Sequence, residues 1–156
     1  MVGGKGLMVT VERLDDGRLS GGIAALEAEC FADPWSEDAV KEAIRFGTVF
    51  FAALEDGNVL GYVGVKPVLD EGYISNVAVT EKMRRRGIGK ALMAAVDSFA
   101  AESGLSFVSL EVRESNSAAA ALYFECGYEI VGKRKNFYVH PVEDALIMTK
   151  NFKREE

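Results

Sequence analysis

The chain has few of the residues that build metal centres and disulfide frameworks. Among 156 residues there are two cysteines and one histidine. Two cysteines, Cys30 and Cys126, are too few for a disulfide scaffold, and each reads as a small buried apolar side chain rather than a nucleophile. Without a Cys/His cluster no metal is expected. The lone His140 stands beside Pro141 and suggests no triad. Repeats, low-complexity stretches and linkers are absent, so one domain over residues 1–156 is expected. No apolar run approaches the roughly 20 residues of a membrane span. The opening stretch, MVGGKGLMVTVERL, lacks the apolar core of a secretory signal. The cytoplasm is therefore the expected compartment. Residues 1–7 read as a loose tail, with Met8 as an alternative start to Met1.

Positive charge is also in short supply. Lys and Arg total 18 against 24 Asp and Glu, a net charge of −6. A general nucleic-acid binder is usually basic, so neither nucleic acid nor a membrane surface is expected as a partner. An acidic surface is compatible with a cationic partner such as a basic peptide. A monomer or weak dimer is expected.

What is present is a globular pattern, with 49% apolar and 27% charged residues. LMVTVERL (7–14) alternates as a first strand. Residues 18–31 carry Leu19, Ile23, Ala25 and Leu26 at helical spacing. In DPWSEDAVKEAIRFG, Ser36 is the N-cap, Glu37 and Asp38 suit the first turn, and Gly47 ends the helix. Residues 48–69 read as a hairpin about Asp56-Gly57-Asn58, and 71–80 as a further strand. The clearest helix runs over 87–102, with Ile88, Leu92, Val96 and Phe99 on one face. A strand over 106–112, a helix over 116–126 stopped by Gly127, and two closing strands complete the chain. The order β-α-α-β-β-β-α-β-α-β-β predicts a mixed α/β fold with one central sheet and helices on both faces. Strands 71–80 and 106–112, joined by a helix, should be parallel.

One segment concentrates what the rest lacks. In EKMRRRGIGKALM (81–93), three arginines and two glycines stand between a strand and a helix. A helix N-terminus offers unpaired N–H groups and partial positive charge. Glycines permit positive φ and close backbone approach, and successive N–H groups form an anion-binding nest. The spacing is neither that of a Walker loop nor a full dinucleotide fingerprint. A pyrophosphate cradle and a plain basic loop capping a helix stand level at this point.

The second informative segment is SLEVRESNSAAAALYFECGY (109–128). Phe107, Ser109 and Glu111 share one face of a strand and Leu110 takes the other. A carboxylate there must be paired, solvated or functional, because burying it alone is costly. Partial burial would make it a competent base. Tyr123 in the following helix reads as ordinary packing or as an acid, and Asn116 as a cap or a ligand contact.

The segment VAVTEKMRRRGIGKALM resembles the acetyl-CoA-binding signature of the GNAT superfamily of N-acetyltransferases: a strand, then [RQ]-x-x-G-x-[GA], then a helix. LEVRESNSAAAALYFECGY is similar to a segment of one branch, the N-terminal protein acetyltransferases of the RimI type, which modify a ribosomal-protein alanine. PWSE, NVAV, KNFY and EDALIM add to the likeness, which spans about residues 8–152. The resemblance implies the GNAT fold, a mixed, mostly antiparallel sheet flanked by helices. It implies acetyl-CoA as co-substrate, held by Arg84, Arg85, Arg86, Gly87, Ile88, Gly89 and Lys90 at the turn. Val77, Ala78 and Val79 would lie along the pantetheine, and Asn116 would contact the coenzyme. Glu111 would be the general base and Tyr123 the general acid, with no metal required. Trp35, Ser36, Asn136 and Tyr138 would border the acceptor groove. The implied acceptor is a protein or peptide N-terminus such as that of ribosomal protein S18. A small amine, a polyamine or a Lys side chain is the alternative acceptor, and a non-catalytic acyl-CoA sensor a third reading. The chain departs from the branch at Phe137-Tyr138, where Tyr-Tyr is common, at Arg84, where Gln is common, and in a short loop over 139–144.

Overall fold

The computed structural model describes residues 9–14 and 16–152. The elements follow the expected order: β1 (Thr10–Leu14), α1 (Ser20–Cys30), α2 (Glu37–Arg45), β2 (Val49–Glu55), β3 (Asn58–Val68), β4 (Glu71–Val79), α3 (Ile88–Ser103), β5 (Phe107–Arg113), α4 (Ser117–Glu125), β6 (Glu129–Val139) and β7 (Val142–Asn151). The expected loose tail over 1–7 and the first residues of the strand expected from 7 lie outside the described residues. The first helix starts at Ser20 rather than 18. A turn precedes it, closed by Ser20 N–H donating to Gly17 O at 3.2 Å and Arg18 N–H to Asp16 Oδ1 at 2.9 Å.

Local chemistry accounts for the boundaries. Ser36 Oγ accepts from Ala39 N–H at 3.1 Å, capping α2, and Glu37 and Asp38 occupy its first turn. The β2–β3 hairpin turns through Asp56 (φ +51°) and Gly57 (φ +80°). Both central residues are left-handed, the geometry that matches strand twist and that Asp-Gly supplies.

Among the described residues, seven strands form one sheet in the order β1-β2-β3-β4-β5-β7-β6. Every pairing is antiparallel except β4 with β5. Alternation along β2 sends Phe50, Ala52 and Leu54 to one face and Phe51 and Ala53 to the other, and both faces are covered. On the first face Ile23 and Leu26 of α1 and Val40 of α2 pack against Phe50, Leu54 and Tyr62. On the second, Leu92, Met93 and Val96 of α3 and Tyr123 of α4 pack against Val63, Val65, Val108 and Leu110. Leu92 and Val96 are fully buried, and each such side chain stabilises the fold by about 1.5–3 kcal/mol. Among the described residues no helix is long and apolar enough to cross a membrane.

The parallel junction shapes the molecule. β4 and β5 pair only over Glu71–Phe107, Gly72–Val108 and Tyr73–Ser109. Beyond these pairs the strands part. β5 stays paired to β7 along its whole length, from Phe107–Asn151 to Arg113–Ala145. β4 stays paired to β3, with a bulge between Ile74 and Asn76 that leaves Ser75 without a register partner. The bulge bends β4 away from β5, and a gap opens in the middle of the sheet.

Candidate active site

The gap is the base of a cleft of about 510 Å³. Ile74, Ser75, Asn76 and Val77 of β4 form one side, and Leu110, Glu111, Val112 and Arg113 of β5 the other. Alternation sets what each strand offers. Val108, Leu110 and Val112 are buried toward α3 and α4, so Glu111 points to the opposite face. Tyr123 reaches the same cleft from α4. A carboxylate and a phenol therefore meet the gap from opposite faces of the sheet.

Glu111 is neither alone nor deeply buried. Its side chain is 29% exposed, and Arg134 Nε lies 2.8 Å from Oε2. It is thus both paired and partly solvated. Tyr123 is nearly buried, and burial pushes its hydroxyl well above the ordinary phenol range, with the Tyr138 and Cys126 groups adding to the shift. Its ring packs against Tyr128 at 6.3 Å between centroids. The phenol is therefore held in its protonated, hydrogen-donating form at neutral pH. Tyr138 is shifted in the same direction, by burial first and the Glu111 charge second. It lines the cleft with Phe137, and the Arg113 guanidinium sits 4.3 Å from its ring centroid. Arg113 also holds the β6–β7 turn, donating from Nη1 to Pro141 O at 3.0 Å and from Nη2 to His140 O at 3.1 Å.

At one end of β4 stands the arginine-glycine turn. Arg85 (φ +64°) and Gly87 (φ +82°) are both left-handed. Gly87 is the N-cap of α3 and has no side chain to satisfy the first N–H groups; the first helical bond is Ala91 N–H to Gly87 O, 3.0 Å. The N–H groups of 88–90 at the start of a 16-residue helix thus remain available to an anion. The three arginines differ. Arg84 turns its guanidinium back, donating from Nε to Val79 O at 3.0 Å, and so ties the turn to β4. Ile88 is a core residue, and Lys90 pairs with Glu125 of α4 at 2.9 Å. Gly89 has a packing role: a Cβ there would lie 2.9 Å from Leu122 Cδ2 of α4. The absence of a side chain here lets the two helices approach without displacing the end of Leu122.

Thr80 N–H bonds to Leu60 O of the β3 side at 2.8 Å. By strand alternation the N–H groups of Val79 and Val77 face away from β3, toward the gap. The Ala78 side chain is buried in the α1 layer, so only its backbone borders this end. Asn116 caps α4 by accepting from Ala119 N–H at 3.1 Å and also lines the cleft. Trp35 lines the cleft and meets Phe50 edge-on at 6.4 Å. Ser36 commits its hydroxyl to the α2 cap. Asn136 (φ +54°) is exposed and donates its N–H to Asp144 Oδ1 at 2.8 Å, shaping the bend that presents Phe137 and Tyr138.

Several site groups were not anticipated. His140 pairs with Asp33 at 2.7 Å across the cleft mouth, joining residues 107 apart in sequence. Cys30, half-buried, packs against the α1-side core and also lines the cleft. Glu27 of α1 is fully buried behind the cleft wall, where Trp35 N–H, Tyr62 O–H and Asn76 Nδ2 all donate to its carboxylate. A weak signal was present: Glu27 follows the buried Ile23 by four residues and so shares its side of α1.

The acetyltransferase (GNAT) family model matches residues 21–128, the span that holds both strands of the gap, the turn, Glu111 and Tyr123. The chain belongs to the GNAT family. It is an acetyl-CoA-dependent N-acetyltransferase. Among GNAT relatives, the Escherichia coli (strain K12) ribosomal protein bS18-alanine N-acetyltransferase is 33% identical over 125 residues, 79% of this chain and 84% of its own. The crystal structure of the ribosomal-protein-S18-alanine N-acetyltransferase from Escherichia coli superposes with a TM-score of 0.87 at 29% identity, covering 96% of this chain and 97% of the other. A Bacillus anthracis acetyltransferase solved in complex with acetyl coenzyme A matches with a TM-score of 0.62 at 27% identity, covering 69% and 64%. The uncapped helix start and left-handed turn of this GNAT chain fit a pyrophosphate group.

Proposed function

We propose that the chain transfers the acetyl group of acetyl-CoA to the α-amine of a protein N-terminus, by direct attack in a ternary complex. The observation that carries this is the placement of Glu111 and Tyr123 on opposite faces of the sheet at the gap between β4 and β5. The turn at 84–90 lies on the α3 side, so the coenzyme enters from the face of Tyr123. The acceptor enters from the face of Glu111, between the loop after α1 and the β6–β7 turn. The relatives named for ribosomal protein bS18 support an alanine N-terminus of that kind as acceptor, and a cytoplasmic setting with it.

Bound acetyl-CoA supplies an activated thioester. Glu111, directly or through a water, accepts the proton of the incoming ammonium. An α-amine, with a pKa near 8 against about 10.4 for lysine, gives that proton up more readily. Val79 N–H, directed into the gap, donates to the carbonyl oxygen as charge builds there. Tyr123 O–H donates to the departing sulfur. Because burial raises the phenol, while a free thiol titrates near 8.5, its main contribution is a hydrogen bond to the thiolate as it forms; the nitrogen loses its second proton to water as the intermediate collapses, and the released thiolate takes up a proton from solvent to leave as free thiol. Val77, the backbone of Ala78 and Asn116 line the coenzyme's path. Trp35, Asn136 and Tyr138 shape the acceptor side.

The test is a panel assay of free thiol release with N-terminal Ala peptides, Lys peptides and polyamines. Turnover should be fastest on the Ala peptides, and Glu111→Gln and Tyr123→Phe should each lower it by roughly 10²-fold. Near-wild-type turnover in both variants, with coenzyme binding intact, would remove the assigned roles. Faster turnover on polyamines would move the acceptor to the alternative class.

A further inference from the structure

Glu27 is the group the chemistry above does not use. It is 0% exposed, and burial pushes its carboxyl upward, opposed by the bonds from Trp35 and Asn76. A carboxylate in such a place is costly unless every lone pair is answered. Here three donors from three elements answer it. Trp35 N–H, in the loop after α1, reaches Oε1 at 2.9 Å. Asn76 Nδ2, on β4, reaches Oε2 at 2.9 Å, and Tyr62 O–H, on β3, meets the same oxygen.

The donors are not arbitrary positions. The loop holding Trp35 is the acceptor-side wall of the cleft. Asn76 is the first paired residue after the β4 bulge, at the point where β4 has left β5. The wall and the bulged strand share no backbone pairing, so the carboxylate is a direct polar link between them. From these contacts we infer that Glu27 is a positioning residue for the acceptor: it fixes the Trp35 loop against β4 and so sets the acceptor side of the cleft. The coenzyme turn has its own ties, from Arg84 to Val79 O and the Cys30 thiol, from Thr80 and Glu81 to the Glu29 carboxylate, and through α3 packing, and none of these uses the Glu27 carboxylate. Loss of Glu27 therefore acts on one substrate and not the other. The inference rests on the acceptor entering from the Glu111 face.

Glu27→Gln is nearly the same size but offers one acceptor oxygen. With that oxygen on Trp35 N–H, the new amide faces Asn76, whose own amide must turn over. Glu27→Ala removes all three bonds. The expected result is a rise in acceptor KM of about tenfold for Ala and less for Gln, with acetyl-CoA KM changed by under about twofold. Acceptor and coenzyme KM rising together, or acceptor KM unchanged in both variants, would overturn it. Should the variants fail to fold, the wild-type protein decides. Trp35 N–H, though in a loop, should exchange with deuterium as slowly as the α1 core amides, and rapid exchange refutes the link. Absence of wild-type turnover on every amine would instead count against the acetyl-transfer reading, and the exchange measurement would still judge Glu27.

Discussion

Replacing Gly87 with alanine separates the anion nest from helix packing. Gly87 has φ +82° and ψ 5°, and a Cβ there meets nothing within 4 Å. Space is no obstacle, so the cost is conformational: an L side chain in the left-handed region loses roughly 1–2 kcal/mol. Two outcomes relieve it. If the backbone keeps its shape, stability falls by that amount, a drop in Tm of about 2–4 °C per kcal/mol for a chain of this size. If the backbone leaves the left-handed region, the N–H groups at the start of α3 swing away from their common focus. Each hydrogen bond to a charged group contributes about 1.5–3 kcal/mol, so the loss of one weakens acetyl-CoA binding roughly 10- to 100-fold. Gly89→Ala is the control. Its backbone is helical, but its Cβ would lie 2.9 Å from Leu122 Cδ2. That overpacks α3 against α4 at about 1–3 kcal/mol, unless the Leu122 side chain rotates. Calorimetric titration with acetyl-CoA and denaturant unfolding should be run on both. Gly87→Ala should lose affinity beyond its loss of stability, and Gly89→Ala stability beyond its loss of affinity. Unchanged coenzyme affinity in Gly87→Ala without the loss of stability that a kept backbone demands, or equal affinity losses in the two, would refute the division of labour between these glycines.

Alkaline pH should unfold the protein through its buried phenols. Tyr123 and Tyr128 are both raised above 10.0, burial being the largest cause. A raised folded value means stability is fully present below the unfolded phenol's pKa and lost as pH rises above about 10. Denaturant midpoints should fall steadily from pH 9.5 upward, and a flat profile to pH 11 would contradict it. Lys150→Met should also destabilise. Lys150 Nζ bonds to Asp97 Oδ2 at 2.8 Å and Cys126 O at 2.7 Å, tying β7 to α3 and the end of α4. Because the pair is partly exposed, a loss of about 1–2 kcal/mol is expected by urea unfolding, and a stability gain would count against it.

The element order was legible because each element announced itself locally. Ser36 with Glu37 and Asp38 marks a helix start, Asp56-Gly57 marks a hairpin, and Gly127 (φ +98°) a helix stop. The alternation about Glu111 correctly set which face it points to. Pairings across long separations were not legible. Nothing near His140 points to Asp33, and nothing near Glu111 points to Arg134. Glu27 falls between these cases. Its i+4 relation to Ile23 places a carboxylate on an apolar stripe, yet a helix of this composition shows no clean stripe to violate. The packing side of Gly89 was not legible for a related reason. A glycine in a ligand signature and a glycine under a crossing helix look the same in sequence, and only the nearness of Leu122 tells them apart.

The shortness of the parallel pairing ties these details together. Three residue pairs hold β4 to β5, whereas β5 pairs with β7 over seven. A full β4–β5 ladder would satisfy the N–H groups of Val77 and Val79 and close the path from Tyr123 to Glu111. Parting the strands leaves those backbone groups unpaired at the centre of the sheet, where free polar groups are costly. The fold offsets that cost with specific side chains. Arg84 Nε and the Cys30 thiol donate to Val79 O, a carbonyl that the missing ladder leaves open. Cys30 and Asn76 line the cleft itself. The site is best understood as a break in a sheet, where side chains satisfy a carbonyl of the broken ladder and the N–H groups of Val77 and Val79 are left facing the gap.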